Sequence, residues 1–222
     1  MTNRTALSAE ALLFDMDGTL VDSTVVVERT WRRFAARHGL DGEEILATSH
    51  GRRTGETVAR YAPPGADVAA ETARLVAEEV EDVEGVVAVP GARELLAALP
   101  PERWALVTSA GRELAERRMA AAGLVLPPVV VTADDVSEGK PSPEGYLAAA
   151  AELGVSPAAT IIFEDAEAGL LAAVATGATT VVVGAHAGPA TQGLVRTGDF
   201  RHVTVHGPDR DGGLRVTVGS AA

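Results

Sequence analysis

Five short apolar runs punctuate the chain: "ALLF" at 11–14, "WALV" at 104–107, "VVV" at 129–131, "TIIF" at 160–163 and "TTVVV" at 179–183. None alternates with polar residues, so each reads as a strand buried on both faces. Helical stretches rich in Ala, Leu and Glu fill 111–123, 143–154 and 167–177, and Gly123, Gly154 and Gly177 stand where each helix would stop. Strands alternating with helices predict an α/β fold built on a doubly wound parallel sheet.

The interval between the first two runs breaks this rhythm. A crossover between parallel strands needs about a dozen residues or a little more, yet Asp22 to Arg103 is far longer. Its patterning is helical at 24–38, 42–48, 54–61, 67–83 and 91–98. These patterns predict an α-helical cap domain at 20–86, inserted into a core domain made of 1–19 and 87–222. The acidic run "EEVEDVE" at 78–84 reads as the solvated face of one insert helix, and Trp31, Phe34 and Tyr61 read as the insert's own core. Near the C-terminus, "RHVTVHG" and "LRVTV" alternate around the turn-rich "PDRDGG" and predict a hairpin or edge strands. His202 and His206 then read as two partly exposed side chains, not metal ligands.

Composition narrows what such a fold can serve. The chain has 222 residues, 46% of them apolar, enough for a sizeable core. Its net charge of −12 argues against a nucleic acid or an anionic membrane as partner. A small phosphorylated metabolite stays compatible where local cations outweigh the overall field. There is no cysteine, which excludes disulfides and thiolate metal sites. No leader and no membrane span are legible, so the expectation is a cytoplasmic protein, monomeric or weakly dimeric.

Ligands of open parallel sheets bind at the carboxyl ends of the strands. There the sequence puts Asp15 and Asp17 after the first run, Thr108 and Ser109 after the second, Lys140 after a short loop beyond the third, and Glu164 and Asp165 after the fourth. Two carboxylates about 4 Å apart repel by roughly 4 kcal/mol at an effective dielectric near 20. Asp15, Asp17 and Asp165 therefore need a counter-ion to converge, and a hard divalent cation such as Mg²⁺ suits oxygen ligands. Lys140 is the only lysine in the chain; a compact ammonium here, where arginine serves everywhere else, marks a specific requirement. Neither a P-loop nor GxGxxG follows any strand.

Taken in order, "DMDGTLVDS", "VTSA", "GKPSP" and "FEDAEAG" resemble the four motifs of the haloacid dehalogenase superfamily, in its phosphatase branch with a helical cap and a Rossmann-like core. The segments "SHGRRT", "ARYAP", "ERWALVTSAGRELA" and "TADDVSEGKPSPEGY" are most similar to its small-sugar and polyol phosphatases, those acting on glycerol phosphate and 2-deoxyglucose 6-phosphate. Glu167 departs from the proline many relatives carry there, and the tail after about residue 186 has no counterpart. The resemblance implies a Mg²⁺-dependent phosphomonoester hydrolase. In it Asp15 is the nucleophile, Asp17 the acid and base, and Lys140 the charge-offsetting cation. Thr108 and the Ser109 backbone hold phosphate. The metal is held by the Asp15 carboxylate, the Asp17 carbonyl and Asp165, while Glu164 steadies a metal-bound water. His50, Arg52 and Arg53 of the insert are the expected substrate contacts. The alternatives are a sugar phosphomutase resembling β-phosphoglucomutase, which shares the phospho-Asp15 step, and a non-catalytic binder of phosphorylated ligands.

Overall fold

A computed structural model describes residues 4–207 and 212–219. The chain enters through β1 (Arg4–Ala9) and β2 (Ala11–Phe14), then β3 (Val21–Asp22) leads into four helices. These are α1 (Thr24–His38), α2 (Gly42–Ser49), α3 (Thr54–Tyr61) and α4 (Val68–Glu81). The return strand β4 (Val87–Ala88) precedes α5 (Ala92–Ala97), β5 (Trp104–Val107), α6 (Arg112–Ala121), β6 (Val129–Val131) and α7 (Glu144–Glu152). After them come β7 (Thr160–Glu164), α8 (Glu167–Ala175), β8 (Thr179–Val183), β9 (Val195–Thr197), β10 (Val203–His206) and β11 (Leu214–Gly219).

A parallel sheet of six strands in the order β6-β5-β2-β7-β8-β9 forms the core, five of them the strands that the apolar runs predict. Successive side chains of a strand face opposite ways, and the core divides accordingly. Leu12 and Phe14 of β2 join one apolar cluster with Leu106, Ile161 and Phe163. Leu13 joins the other, with Ala105, Val107, Ile162 and Tyr146 of α7. Both faces are thus covered, and the strand ends converge at one edge.

Helices α1–α4 enclose a separate apolar cluster of Trp31, Phe34, Ala35, Ile45, Leu46, Val58 and Leu75, with Tyr61 packed against it. Two caps set their ends. Asp41 accepts a hydrogen bond from the Glu43 N–H to start α2, and Asp67 accepts one from Ala70 to start α4. Strands β3 and β4 pair antiparallel and form both the exit from the sheet layer and the return to it. The acidic run at 78–84 is not uniformly solvated: Glu79 is buried.

Two strands, β9 and β1, lay outside the sequence patterns. β9 adds the sixth parallel strand, and β1 pairs with β11, which also pairs with β10, in a second sheet. The hairpin turn expected at "PDRDGG" falls largely on residues 208–211, outside the described residues. Its flanking strands β10 and β11 are antiparallel, with Val203 opposite Val218. His202 and His206 are both exposed. The chain leading to β10 also delivers Phe200, whose ring lies 6.0 Å from Phe14 and 5.5 Å from Phe163. Those two rings stack at 5.0 Å directly before Asp15 and Glu164 in sequence. Phe200→Ala is therefore expected to lower the unfolding free energy by about 3–5 kcal/mol in urea titrations.

Candidate active site

The first acidic pair is delivered by a strand that ends in a tight turn. The Asp15 N–H still bonds to the Phe163 carbonyl, in register with β7. Beyond it the carbonyl of Met16 accepts from the N–H groups of Leu20 and Val21, which folds the chain back at Gly18. Gly18 has φ +85°, and a Cβ there would lie 2.1 Å from Asp165 Oδ2. Only glycine allows that turn and that approach together.

Four strand ends then meet as their order in the sequence suggests. Lys140 Nζ lies 2.5 Å from Asp15 Oδ1 and 2.6 Å from Glu164 Oε1, and all three side chains are buried. Glu164 also accepts from the Tyr146 hydroxyl at 3.2 Å and from the Ala166 N–H at 2.8 Å. The ammonium sits 5.1 Å from the Tyr146 ring centroid, within cation–π range. Asp165 accepts from the Thr19 hydroxyl at 3.1 Å. Oxygens of Asp15, Glu164 and Asp165 all fall within 4.8 Å of one another.

Burial dominates the electrostatics. Desolvation, reinforced by Glu164 and Asp17 and opposed by Lys140, raises the Asp15 pKa to about 7. Desolvation together with Glu164 and Asp15 pushes Asp165 upward as well. Burial alone would lower the Lys140 pKa, but Asp15 and Glu164 more than reverse this and hold it as an ammonium. Three carboxylates facing one ammonium suit an additional hard cation, and oxygen donors at this spacing fit a divalent metal.

The remaining predicted residues take distinct places. The Asp17 carboxylate turns away from the cluster, accepting from Ser23 Oγ at 2.6 Å and from Arg118 Nη1 at 2.8 Å. Thr108 is buried, and its hydroxyl caps the Ala110 N–H at 3.1 Å; the Ser109 hydroxyl donates to the Gly51 carbonyl at 2.8 Å. Together with Asp15, Asp17, Asp165, His50 and Arg52, these two line a cavity of about 150 Å³ between the sheet edge and the helices of the insert. His50 and Arg52 are exposed where that cavity meets a broader cleft. Arg53 goes elsewhere. Its guanidinium donates to the Val136 and Ser137 carbonyls at 2.8 and 3.3 Å, on the loop before Lys140, and it does not line the cavity.

Two residues of the cavity wall were not singled out by sequence. Arg118 of α6 spans from Asp17 to Glu79 Oε1 of α4, at 3.0 Å, and Glu79 Oε2 accepts from Thr54 at 2.9 Å. Arg118 lies four residues after the buried Leu114, on the inward stripe of α6. Glu79 carries the same signal, four residues after the buried Leu75 of α4.

Comparison with known proteins agrees with this arrangement. Residues 9–177 match the family described as haloacid dehalogenase-like hydrolase. Hexitol phosphatase A of Escherichia coli (strain K12) is 44% identical over 186 residues, 82% of this chain and 86% of that protein. Glycerol-1-phosphate phosphohydrolase 2 of Saccharomyces cerevisiae is 38% identical over 79% of this chain and 75% of its own length. Among solved structures, a hydrolase from Pseudomonas syringae superposes with a TM-score of 0.72 at 29% identity, covering 85% of this chain and 92% of that one. The chain belongs to the haloacid dehalogenase-like hydrolase family, and relatives in it are phosphatases.

The buried ammonium carries a clear expectation. Lys140→Met leaves Asp15 and Glu164 facing each other without a cation. In EDTA it is expected to cost about 3–5 kcal/mol of stability, measured by urea unfolding against the parent.

Proposed function

We propose that the protein is a Mg²⁺-dependent phosphomonoester hydrolase of a small sugar or polyol phosphate, working through an aspartyl-phosphate at Asp15. The observation that carries this reading is the convergence of Asp15, Asp165 and Lys140 at one sheet edge, beside Thr108 and a small cavity. Relatives named as hexitol and glycerol-1-phosphate phosphatases support the substrate class.

In this reading the Asp15 and Asp165 carboxylates and the Asp17 main-chain carbonyl hold the metal. The oxygen-only donor set and the close approach allowed by Gly18 fit a small hard cation. When bound, Mg²⁺ offsets the charge of the acidic cluster and of the transferring phosphoryl group.

Lys140 occupies Asp15 Oδ1, which leaves Oδ2 to attack phosphorus as the bond to the leaving oxygen breaks. Asp17 delivers a proton to the departing alkoxide, releasing the alcohol. It then takes a proton from a water that attacks the aspartyl-phosphate, which frees Asp15 and inorganic phosphate. Ser23 and Arg118 hold the Asp17 carboxylate in one orientation through both steps. The Thr108 hydroxyl and the Ser109 N–H bind phosphoryl oxygens, and Lys140 balances the charge that develops there. Glu164 keeps that ammonium in place through its own bond to it. Helices α1–α4 exclude water and bring His50 and Arg52 to the entrance.

The test uses p-nitrophenyl phosphate with Mg²⁺. Asp15→Asn is expected to lower phosphate release by at least about a thousandfold, and EDTA to abolish it until Mg²⁺ is restored. Activity of Asp15→Asn within about tenfold of the parent, or full activity in EDTA, would refute the mechanism. With a hexose phosphate, stoichiometric free phosphate supports hydrolysis; isomerised sugar phosphate with little free phosphate assigns the mutase reaction instead.

A further inference from the structure

The wall of the small cavity holds a buried ion relay, of which the proposed chemistry uses only the contact between Arg118 and Asp17. Arg118 comes from α6, beneath the sheet edge, and Glu79 from α4 of the insert; only about 3% and 5% of their respective surfaces are exposed. Arg118 divides its guanidinium between Asp17 at 2.8 Å and Glu79 at 3.0 Å. Its single charge is therefore matched twice over.

Hydrogen-bonding capacity is nonetheless left over at this wall. Arg118 Nε and Ser49 Oγ are buried and have no partner among the described residues, although both side chains line the cavity. Each Glu79 oxygen accepts one bond and keeps a further lone pair. Buried polar atoms are normally satisfied. A ligand that both donates to Glu79 and accepts from Arg118 and Ser49 meets that requirement, and a neighbouring pair of hydroxyls does so without charge. A second anionic group meets a wall whose carboxylates outnumber its cation, since the other arginine there, Arg52, is exposed where the cavity opens.

We propose that Glu79 and Arg118 select the leaving group, accepting an uncharged polyhydroxylated one and rejecting one that bears a carboxylate or second phosphate. This rests on the hydrolase reading and names the groups that set its substrate class. Neutralising Glu79 should release half of the Arg118 guanidinium to an anion, and removing both should erase the recognition of hydroxyls.

The experiment compares kcat/KM for glycerol 1-phosphate, phosphoglycolate and n-propyl phosphate, the last sharing the three-carbon skeleton without its hydroxyls. In Glu79→Gln the preference for glycerol 1-phosphate over phosphoglycolate is expected to fall by at least about tenfold. In the volume-conserving double variant Glu79→Leu with Arg118→Met, the preference for glycerol 1-phosphate over n-propyl phosphate should fall by a similar factor. Any common loss from a less ordered Asp17 cancels in each ratio, and thermal melts verify that both variants are folded. Either ratio staying within about twofold of the parent value overturns the selector. So does a parent that prefers phosphoglycolate or n-propyl phosphate while Asp15→Asn still loses p-nitrophenyl phosphatase activity; in that case the reaction class stands and only the selector falls. Retained activity in Asp15→Asn overturns the reaction class itself.

Discussion

The organisation of the site depends on one buried ammonium group. Lys140 Nζ contacts Asp15 and Glu164 at 2.5 and 2.6 Å, in a place where carboxylate oxygens of three residues lie within 4.8 Å of each other. At an effective dielectric near 20, each pair of ionised acids at that spacing repels by roughly 3–4 kcal/mol. One lysine compensates only part of this. Three carboxylates against one ammonium leave two negative charges, which is what a divalent cation would balance. Burial raises the Asp15 pKa to about 7. An arginine would not serve in the same place. Its planar fork needs room for several bonds, whereas the ammonium fits between two carboxylates with an aromatic ring on one side.

So costly a cluster persists because the sheet behind it leaves the strand ends little freedom. β2 lies between β5 and β7 in register, and the Asp15 N–H prolongs that ladder by one bond. The alternation that sends Phe14 and Phe163 to one face and Leu13 and Ile162 to the other fixes which way the next residues project. Phe200, from the approach to β10, packs on the same two rings. The C-terminal segment is therefore part of the support beneath the site and not an appendage. Glu167 fits the same picture, because its carboxylate meets His186 at 2.8 Å at the rim of the broader cleft.

How much of this was legible in the sequence follows from the kind of information each part needs. The five apolar strands and the helices between them were readable because continuous apolar runs and glycine stops are local signals. Asp15, Asp165, Thr108 and Lys140 were readable because topology alone brings the ends of parallel strands together. β1 was not, since "RTALSA" is half exposed, has Leu7 as its one large apolar residue, and is a strand chiefly through its pairing with β11 near the other end of the chain. β9, "VRT", has a single apolar residue and carries too little pattern to read. Arg53 was read as a substrate contact from its loop, yet main-chain carbonyls of a distant segment claim it. Arg118 and Glu79 illustrate the same limit from the other direction. Helical spacing puts each on an inward stripe, but which partner each one meets is set only where the insert joins the core.

At that meeting place much of the contact between insert and core is made of ionic and main-chain groups. The main ties are the Arg118–Glu79 pair, the Arg53 bonds to residues 136 and 137, and the Ser109 bond to the Gly51 carbonyl. Apolar contact adds to these ties: Val26 of α1 joins the cluster of Phe14, Leu106 and Phe163, while Trp31, Phe34 and Leu75 pack among the insert's own helices. Apolar surfaces pressed together separate only at the full cost of exposing them to water. Ionic and main-chain groups regain most of their energy from water when parted, so a contact made of them is cheap to open and still specific when shut. A site that must admit a solute and then exclude solvent needs that combination, and the buried relay supplies it while lining the space the solute would fill.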